Sequence, residues 1–148
     1  MHRLWLPITT LIFTLFMVNH ALAQESTEDL IAQAVAASEK GELKQARSLL
    51  LEAVAQSPDS SLAYTRLGGV QLLQQEYGPG IESFQQAIML DKGNADAFIG
   101  LSLAYLHQGR HALAREALKE ASKLGTAKQQ EIDKVLVWLD QRDTEMTH

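Results

Sequence analysis

The fold is decided by residues 61–94, SLAYTRLGGVQLLQQEYGPGIESFQQAIMLDKGN, followed without a gap by residues 95–128, ADAFIGLSLAYLHQGRHALAREALKEASKLGTAK. Laid over one another, the two 34-residue windows put Tyr64 on Phe98, Gly68 on Ser102, Gly80 on Ala114, Phe84 on Leu118 and Ala87 on Ala121. A further step of 34 residues toward the N-terminus brings Leu30, Ala34, Ala46, Leu50 and Ala53 into the same columns, which defines a window at 27–60. Some columns keep bulk and others keep smallness; the last is alanine in all three windows. Self-similarity at one fixed period of this length is the mark of a stacked repeat.

Within each window apolar residues recur at three- and four-residue steps, as in Tyr64, Leu67, Leu72 and then Ile81, Phe84, Ile88. That is the period of a helix with one buried face. No stretch alternates with period two over strand length. Turn signals fall between the helical stretches at Lys40-Gly41-Glu42, Tyr77-Gly78-Pro79-Gly80, Asp91-Lys92-Gly93-Asn94 and Gln108-Gly109-Arg110. Gly41 and Gly109 occupy one column, where the middle window has Gln75. The spacing predicts helices over 27–40, 43–56, 60–75, 79–90, 94–108 and 111–123. Residues 127–142 (AKQQEIDKVLVWLDQR) place Ile132, Val135, Leu136 and Leu139 on one face, so a seventh helix is expected to cap the open end. Residues 143–148 are polar and are expected to be a disordered tail.

These residues resemble the tetratricopeptide repeat (TPR), whose pattern runs aromatic, Leu-Gly, aromatic on the first helix and Ala, aromatic, Ala on the second. The middle window supplies Tyr64, Leu67-Gly68, Phe84 and Ala87; the third supplies Phe98, Leu101-Ser102, Tyr105, Ala114 and Ala121; the first supplies Leu30, Ala34, Ala46, Ala53 and Pro58. Gln71, Gly80, Lys92 and Thr126 depart from the pattern. The resemblance implies an all-α fold, a right-handed superhelical solenoid of three helix hairpins (27–60, 61–94, 95–128) closed by the capping helix. It also implies that the first helix of each pair lines a concave face. The residues that would point inward are Ile31 and Val35; Leu62, Thr65, Arg66, Gly69 and Leu72; and Ile99, Leu103 and Leu106. Co-chaperones of this type grip a terminal carboxylate with Lys, Asn and Arg. Here Thr65, Gly69 and Ile99 replace those types and Arg66 stands alone, so the expectation is a groove for an apolar segment, the alternative being that Leu72, Leu103 and Leu106 contact the next helix of the array.

The ends and the composition narrow the setting. Met1-His2-Arg3 precedes an apolar run from Leu4 to Val18, and Ala21 and Ala23 form a small-x-small pattern. This reads as a signal peptide over 1–23, cleaved before Gln24. The run is shorter than the roughly 20 residues that span a bilayer. The expectation is a TPR domain over 24–142 in the periplasm, with secretion as the alternative and no stable membrane anchor after cleavage. The 148 residues carry a net charge of −5 and no basic block, which argues against nucleic acid as a partner. With no Cys there is no disulfide, thiolate metal site or cysteine nucleophile.

The residues that could carry chemistry are scattered. His107 and His111 are separated by Gly109 at a predicted turn, and Gly78-Pro79-Gly80 lacks the strand and the Lys-Ser/Thr of a phosphate loop. No Ser, His and Asp fall in a triad arrangement, so no enzyme activity, cofactor or metal is expected. The function expected is a non-catalytic protein-binding module, a scaffold or assembly factor. The alternative is a self-assembling structural subunit, a homo-oligomer built through the open edge of the first repeat. Trp138, the one tryptophan beyond the leader, is expected to help cover the end of the array.

Overall fold

A computed structural model describes residues 25–145. They form seven helices and, among the described residues, no strand. These are α1 (Thr27–Glu39), α2 (Leu43–Gln56), α3 (Ser61–Leu73), α4 (Tyr77–Leu90), α5 (Ala95–His107), α6 (His111–Lys123) and α7 (Gln129–Glu145). The proposed leader, 1–23, lies outside the described residues.

The 34-residue period is written into the backbone as well as the side chains. Ser26, Ser60 and Asn94 each cap the helix that follows, accepting from Asp29 N, Ala63 N and Ala97 N at 3.1, 3.2 and 2.9 Å. Each supplies an acceptor to a first-turn N–H that has no partner within the helix. Every hairpin then closes by one motif. Gly41, Gln75 and Gly109 adopt φ of 77°, 63° and 69°. The next N–H reaches back five residues, from Glu42 to Ala37 O, Glu76 to Gln71 O and Arg110 to Tyr105 O, each at 2.9 Å. This is a Schellman closure, which needs a left-handed residue at its C′ position and favours glycine there. Gln75 accepts that conformation because the hydrogen bonds around it are the same as those of its glycine counterparts.

Helix ends differ from the sequence expectation by up to three residues, and two of these differences change the reading of a segment. Tyr77-Gly78-Pro79-Gly80 is the first turn of α4 rather than a turn between helices. Pro79 is its third residue, where a missing N–H breaks no intrahelical bond. The turn itself is made two residues earlier, at Gln75. At the other end α7 continues to Glu145, three residues into the stretch expected to be a tail.

Packing follows the columns. The first core joins Leu30, Ile31, Ala34, Leu50, Leu67 and Val70; the second centres on Phe84, with Ala87, Leu101, Tyr105 and Ala114; the third joins Leu118 and Ala121 to Ile132 and Leu139. Ala53, Ala87 and Ala121 have no exposed surface, so each lets two helices meet without a gap. The first helices of successive pairs approach closely, α1 to α3 and α3 to α5 coming within 8 Å between Cα atoms, whereas α2–α4 and α4–α6 do not. The array therefore curves with α1, α3 and α5 on its inner side.

Phe84 shows how tightly that side is built. A Cβ on Gly68 would lie 2.9 Å from its ring, and one on Gly100 would lie 2.3 Å from it. The ring fills a slot that exists because α3 and α5 both lack a side chain at those points.

Candidate binding face

Two apolar clefts open along the row of first helices. One, of about 230 Å³, lies between α1 and α3, with Val35, Ser38, Glu39, Thr65, Arg66 and Gly69 among its walls. Its glycine is unlike the two that seat Phe84, since nothing lies within 4 Å of where a Cβ on Gly69 would stand. A glycine inside a helix costs about 1 kcal/mol relative to alanine. Packing does not require it here, so what it supplies is open space. The Ser38 hydroxyl on the same wall is buried with no hydrogen-bond partner among the described residues. Thr65 is already engaged, donating to Ser61 O and accepting from the Asn94 amide, both at 2.8 Å. Arg66 and Glu39 are exposed at the edge.

The second cleft, of about 200 Å³, lies between α5, α6 and α7 and brings Ile99, Leu103 and Leu106 together with Leu118, Ile132 and Val135. Ser102, Lys128 and Glu131 complete it. The Lys128 ammonium donates to Asp96 Oδ1 at 2.8 Å.

The expected inward residues are thus divided. Val35, Thr65, Arg66 and Gly69 share the first cleft, and Ile99, Leu103 and Leu106 share the second. Ile31 is only 7% exposed, lies in the first core and lines neither cleft. Leu72 is half-buried against the second core, and Leu62 is exposed outside both clefts. Leu103 is the exposed apolar residue of the second cleft, at 42%. Ser38, Val70 and Leu73 in the first cleft, and Leu118, Ile132 and Val135 in the second, were not foreseen as lining residues. The period itself carries the missing signal, because one more step of 34 places Gln129, the first residue of α7, in register with Thr27, Ser61 and Ala95.

Groups that invited a chemical reading sit apart. His107 stacks on Tyr77, with ring centroids 4.9 Å apart, while His111 meets the edge of Trp138 at 5.9 Å. Trp138 is 43% exposed and carries the Arg142 guanidinium 4.9 Å from its ring centroid, so it lies over the flank of α6 rather than inside the cap. Among the described residues no three His, Asp or Glu side chains group as a metal site would require.

The family profile of the tetratricopeptide repeat matches residues 31–88 and 80–127, well over half of the 148. The chain belongs to the tetratricopeptide repeat family. Solved TPR structures superpose on it closely. The TPR2B domain of yeast Sti1, in its pHsp70 complex, is 18% identical with a TM-score of 0.75, over 78% of this chain and 97% of that one. The Yersinia enterocolitica type III secretion translocator chaperone SycD is 17% identical at a TM-score of 0.77, over 83% and 91% of the two chains. The same chaperone bound to a peptide of the translocator YopD gives 17% and 0.74, over 78% and 93%. At these identities the likeness is one of fold. No curated protein matches the sequence. TPR domains mediate protein–protein interaction, including peptide binding by chaperone TPRs, and the family match indicates no enzyme class.

Proposed function

We propose that this protein is a non-catalytic interaction module of the periplasm, a small scaffold or assembly factor that holds a segment of a partner polypeptide against the inner face of α1, α3 and α5. The observation that carries this reading is Gly69. A helix-destabilising residue is kept at mid-helix where no neighbour demands it, and the space it opens is an apolar cleft with an unsatisfied Ser38 hydroxyl on its wall. A peptide laid there would bury apolar side chains against Val35, Val70 and Leu73. The structural neighbours bound to peptides support the same use of the fold.

The export reading rests on the apolar run from Leu4 to Val18 and the Ala21-x-Ala23 pattern. Self-assembly through the edge of the first repeat draws no support from that edge. In later repeats Ala63, Leu67 and Val70 are buried against the preceding pair, but their counterparts Asp29, Gln33 and Ala36 are exposed and mostly polar.

A photo-cross-linking residue at Arg66 tests the groove. It should join the protein to a discrete envelope partner, and Gly69→Phe should abolish that product. Labelling of the same partner from Ser48, exposed on α2, with equal efficiency would refute the assignment. Amino-terminal sequencing of the protein from a periplasmic fraction should read from Gln24. Membrane-bound protein still beginning at Met1 would overturn the location.

A further inference from the structure

The helix after the third hairpin is a fourth first-helix by register and a misfit by chemistry. Columns that bring successive pairs together hold Ala63 and Ala97, neither with exposed surface, and α7 has Glu131 in that place. The junction differs too. Ser57 and Asp91, which end α2 and α4, are extended at φ −130° and −141°, while Gly125 in the same column turns left-handed at φ 68°. No Cα atom of α7 comes within 8 Å of one in α5, although α1–α3 and α3–α5 pairs do. Instead α7 leans on α6, through Leu139 and Ile132 and through Arg115, which donates to Leu139 O at 3.0 Å and to Asp140 at 3.1 Å. The second cleft is the gap that this displacement leaves.

The gap has the size and lining of a socket for one side chain. An apolar cavity of about 150 Å³ holds a benzene ring, and ligand pockets for whole small molecules begin near 300 Å³. At about 200 Å³ between Leu103, Leu106, Leu118, Ile132 and Val135, this cleft fits a single leucine-, methionine- or phenylalanine-sized group. Its charged rim is unbalanced. Lys128 is spent on Asp96, and Glu131 is exposed with no ionic partner among the described residues.

We propose that the α5–α7 cleft is an anchor socket for an aliphatic or aromatic residue of the partner polypeptide that stands next to a lysine or arginine, the cation lying against Glu131. This rests on the reading that the inner face holds a polypeptide, and it adds the chemistry of the residue pair recognised.

Three capped dipeptides serve as probes: acetyl-Leu-Lys-amide, acetyl-Leu-Glu-amide and acetyl-Ala-Lys-amide, each titrated into methyl-labelled protein and followed by NMR. Acetyl-Leu-Lys-amide should shift the methyls of Leu103, Ile132 and Val135. It should bind about thirtyfold more tightly than the Glu probe, the scale of one charge contact near 4 Å in water turned from attraction to repulsion. The Ala probe should leave those methyls unmoved. Glu131→Lys, an exposed change that leaves the circular dichroism spectrum intact, should reverse the preference between the first two probes. Equal shifts from all three probes, or an unreversed preference in the variant, would overturn the proposal. Shifts confined to Val35, Val70 and Leu73 would overturn it while leaving the inner-face reading standing. The absence of shifts at both clefts would overturn this socket, and loss of the Arg66 cross-link would separately remove the reading beneath it.

Discussion

Three glycines on the inner helices make opposite demands, and replacing each with alanine separates packing from function. Gly69→Ala adds a methyl into open space, so the change should be read as helix propensity alone, a gain of about 0.8–1.0 kcal/mol. Gly100→Ala places a Cβ 2.3 Å from Phe84 Cε1 and Cζ, against an ordinary carbon contact of about 3.5–4.0 Å. The ring must move by more than ~1 Å, and it cannot retreat toward α3, because an alanine there would already meet it at 2.9 Å and the slot has no slack. Overpacking of this kind costs about 1–3 kcal/mol. Taking the upper end for a nearly fully buried ring and subtracting the propensity gain leaves a net loss of about 2 kcal/mol. For a domain of this size 1 kcal/mol corresponds to about 4 °C in Tm. Thermal unfolding followed by circular dichroism at 222 nm should therefore raise Tm by about 3–4 °C for Gly69→Ala and lower it by about 8 °C for Gly100→Ala. Adding Phe84→Leu to Gly100→Ala should recover part of the loss as a favourable coupling of about 1 kcal/mol. Gly100→Ala as stable as the parent would refute the ring slot. A destabilised Gly69→Ala would refute the open cleft, and with it the argument that this glycine is kept for a ligand.

Gln75→Gly should raise the urea midpoint by the equivalent of about 0.5–1 kcal/mol, since a left-handed L-residue costs about 1–2 kcal/mol and glycine's greater unfolded-state freedom takes part of that back; a lowered midpoint would contradict the Schellman geometry. Asn94 caps α5 through Oδ1 and ties α5 to α3 through Nδ2, which donates to Ser61 Oγ and Thr65 Oγ1 at 2.8 Å each. Asn94→Asp, which keeps the cap and loses the donor, should cost about 1 kcal/mol, and Asn94→Ala about 2 kcal/mol; an Asp variant as stable as the parent in urea titration would remove the inter-repeat bond from the account.

What could be read in advance were features that recur. The hairpins, the buried alanines at 53, 87 and 121 and the shared turn column of Gly41, Gln75 and Gly109 each appear three times, so coincidence fails as an explanation. What escaped is what happens once. The start of α4 was misplaced because glycines and a proline usually mark a turn, yet Glu76 and Gln75 close the hairpin before them. Gly100 does not stand out in the sequence, since Ala32 and Arg66 hold its column in the other windows; only the ring of Phe84, brought across from α4, makes its smallness necessary. Inward-facing residues were assigned by position, and position does not say that Ile31 sinks into the first core while Leu103 stays exposed. The displacement of α7 goes with a left-handed junction at Gly125 and with Glu131 and Trp138 in columns that are apolar and buried in the two preceding repeats, and no single position announces it.

The two ends of the array obey one rule. In the column where Ala63 and Ala97 seal neighbouring pairs, the terminal helices carry Asp29 and Glu131, and in the column of Gln74 and Gln108 they carry Lys40 and Arg142. A carboxylate in the sealing position cannot be buried without a partner at a cost of several kcal/mol. At the N-terminal edge no described helix precedes it, and Asp29 is exposed beside the Ser26 hydroxyl, which donates to it at 2.8 Å. At the C-terminal edge α7 covers the third hairpin from its displaced position against α6, and Glu131 stays exposed. The cleft left between α5 and α7 thus has an acid at its mouth. On the proposed reading, the residue that breaks the sealing column is also the one that meets the ligand's cation.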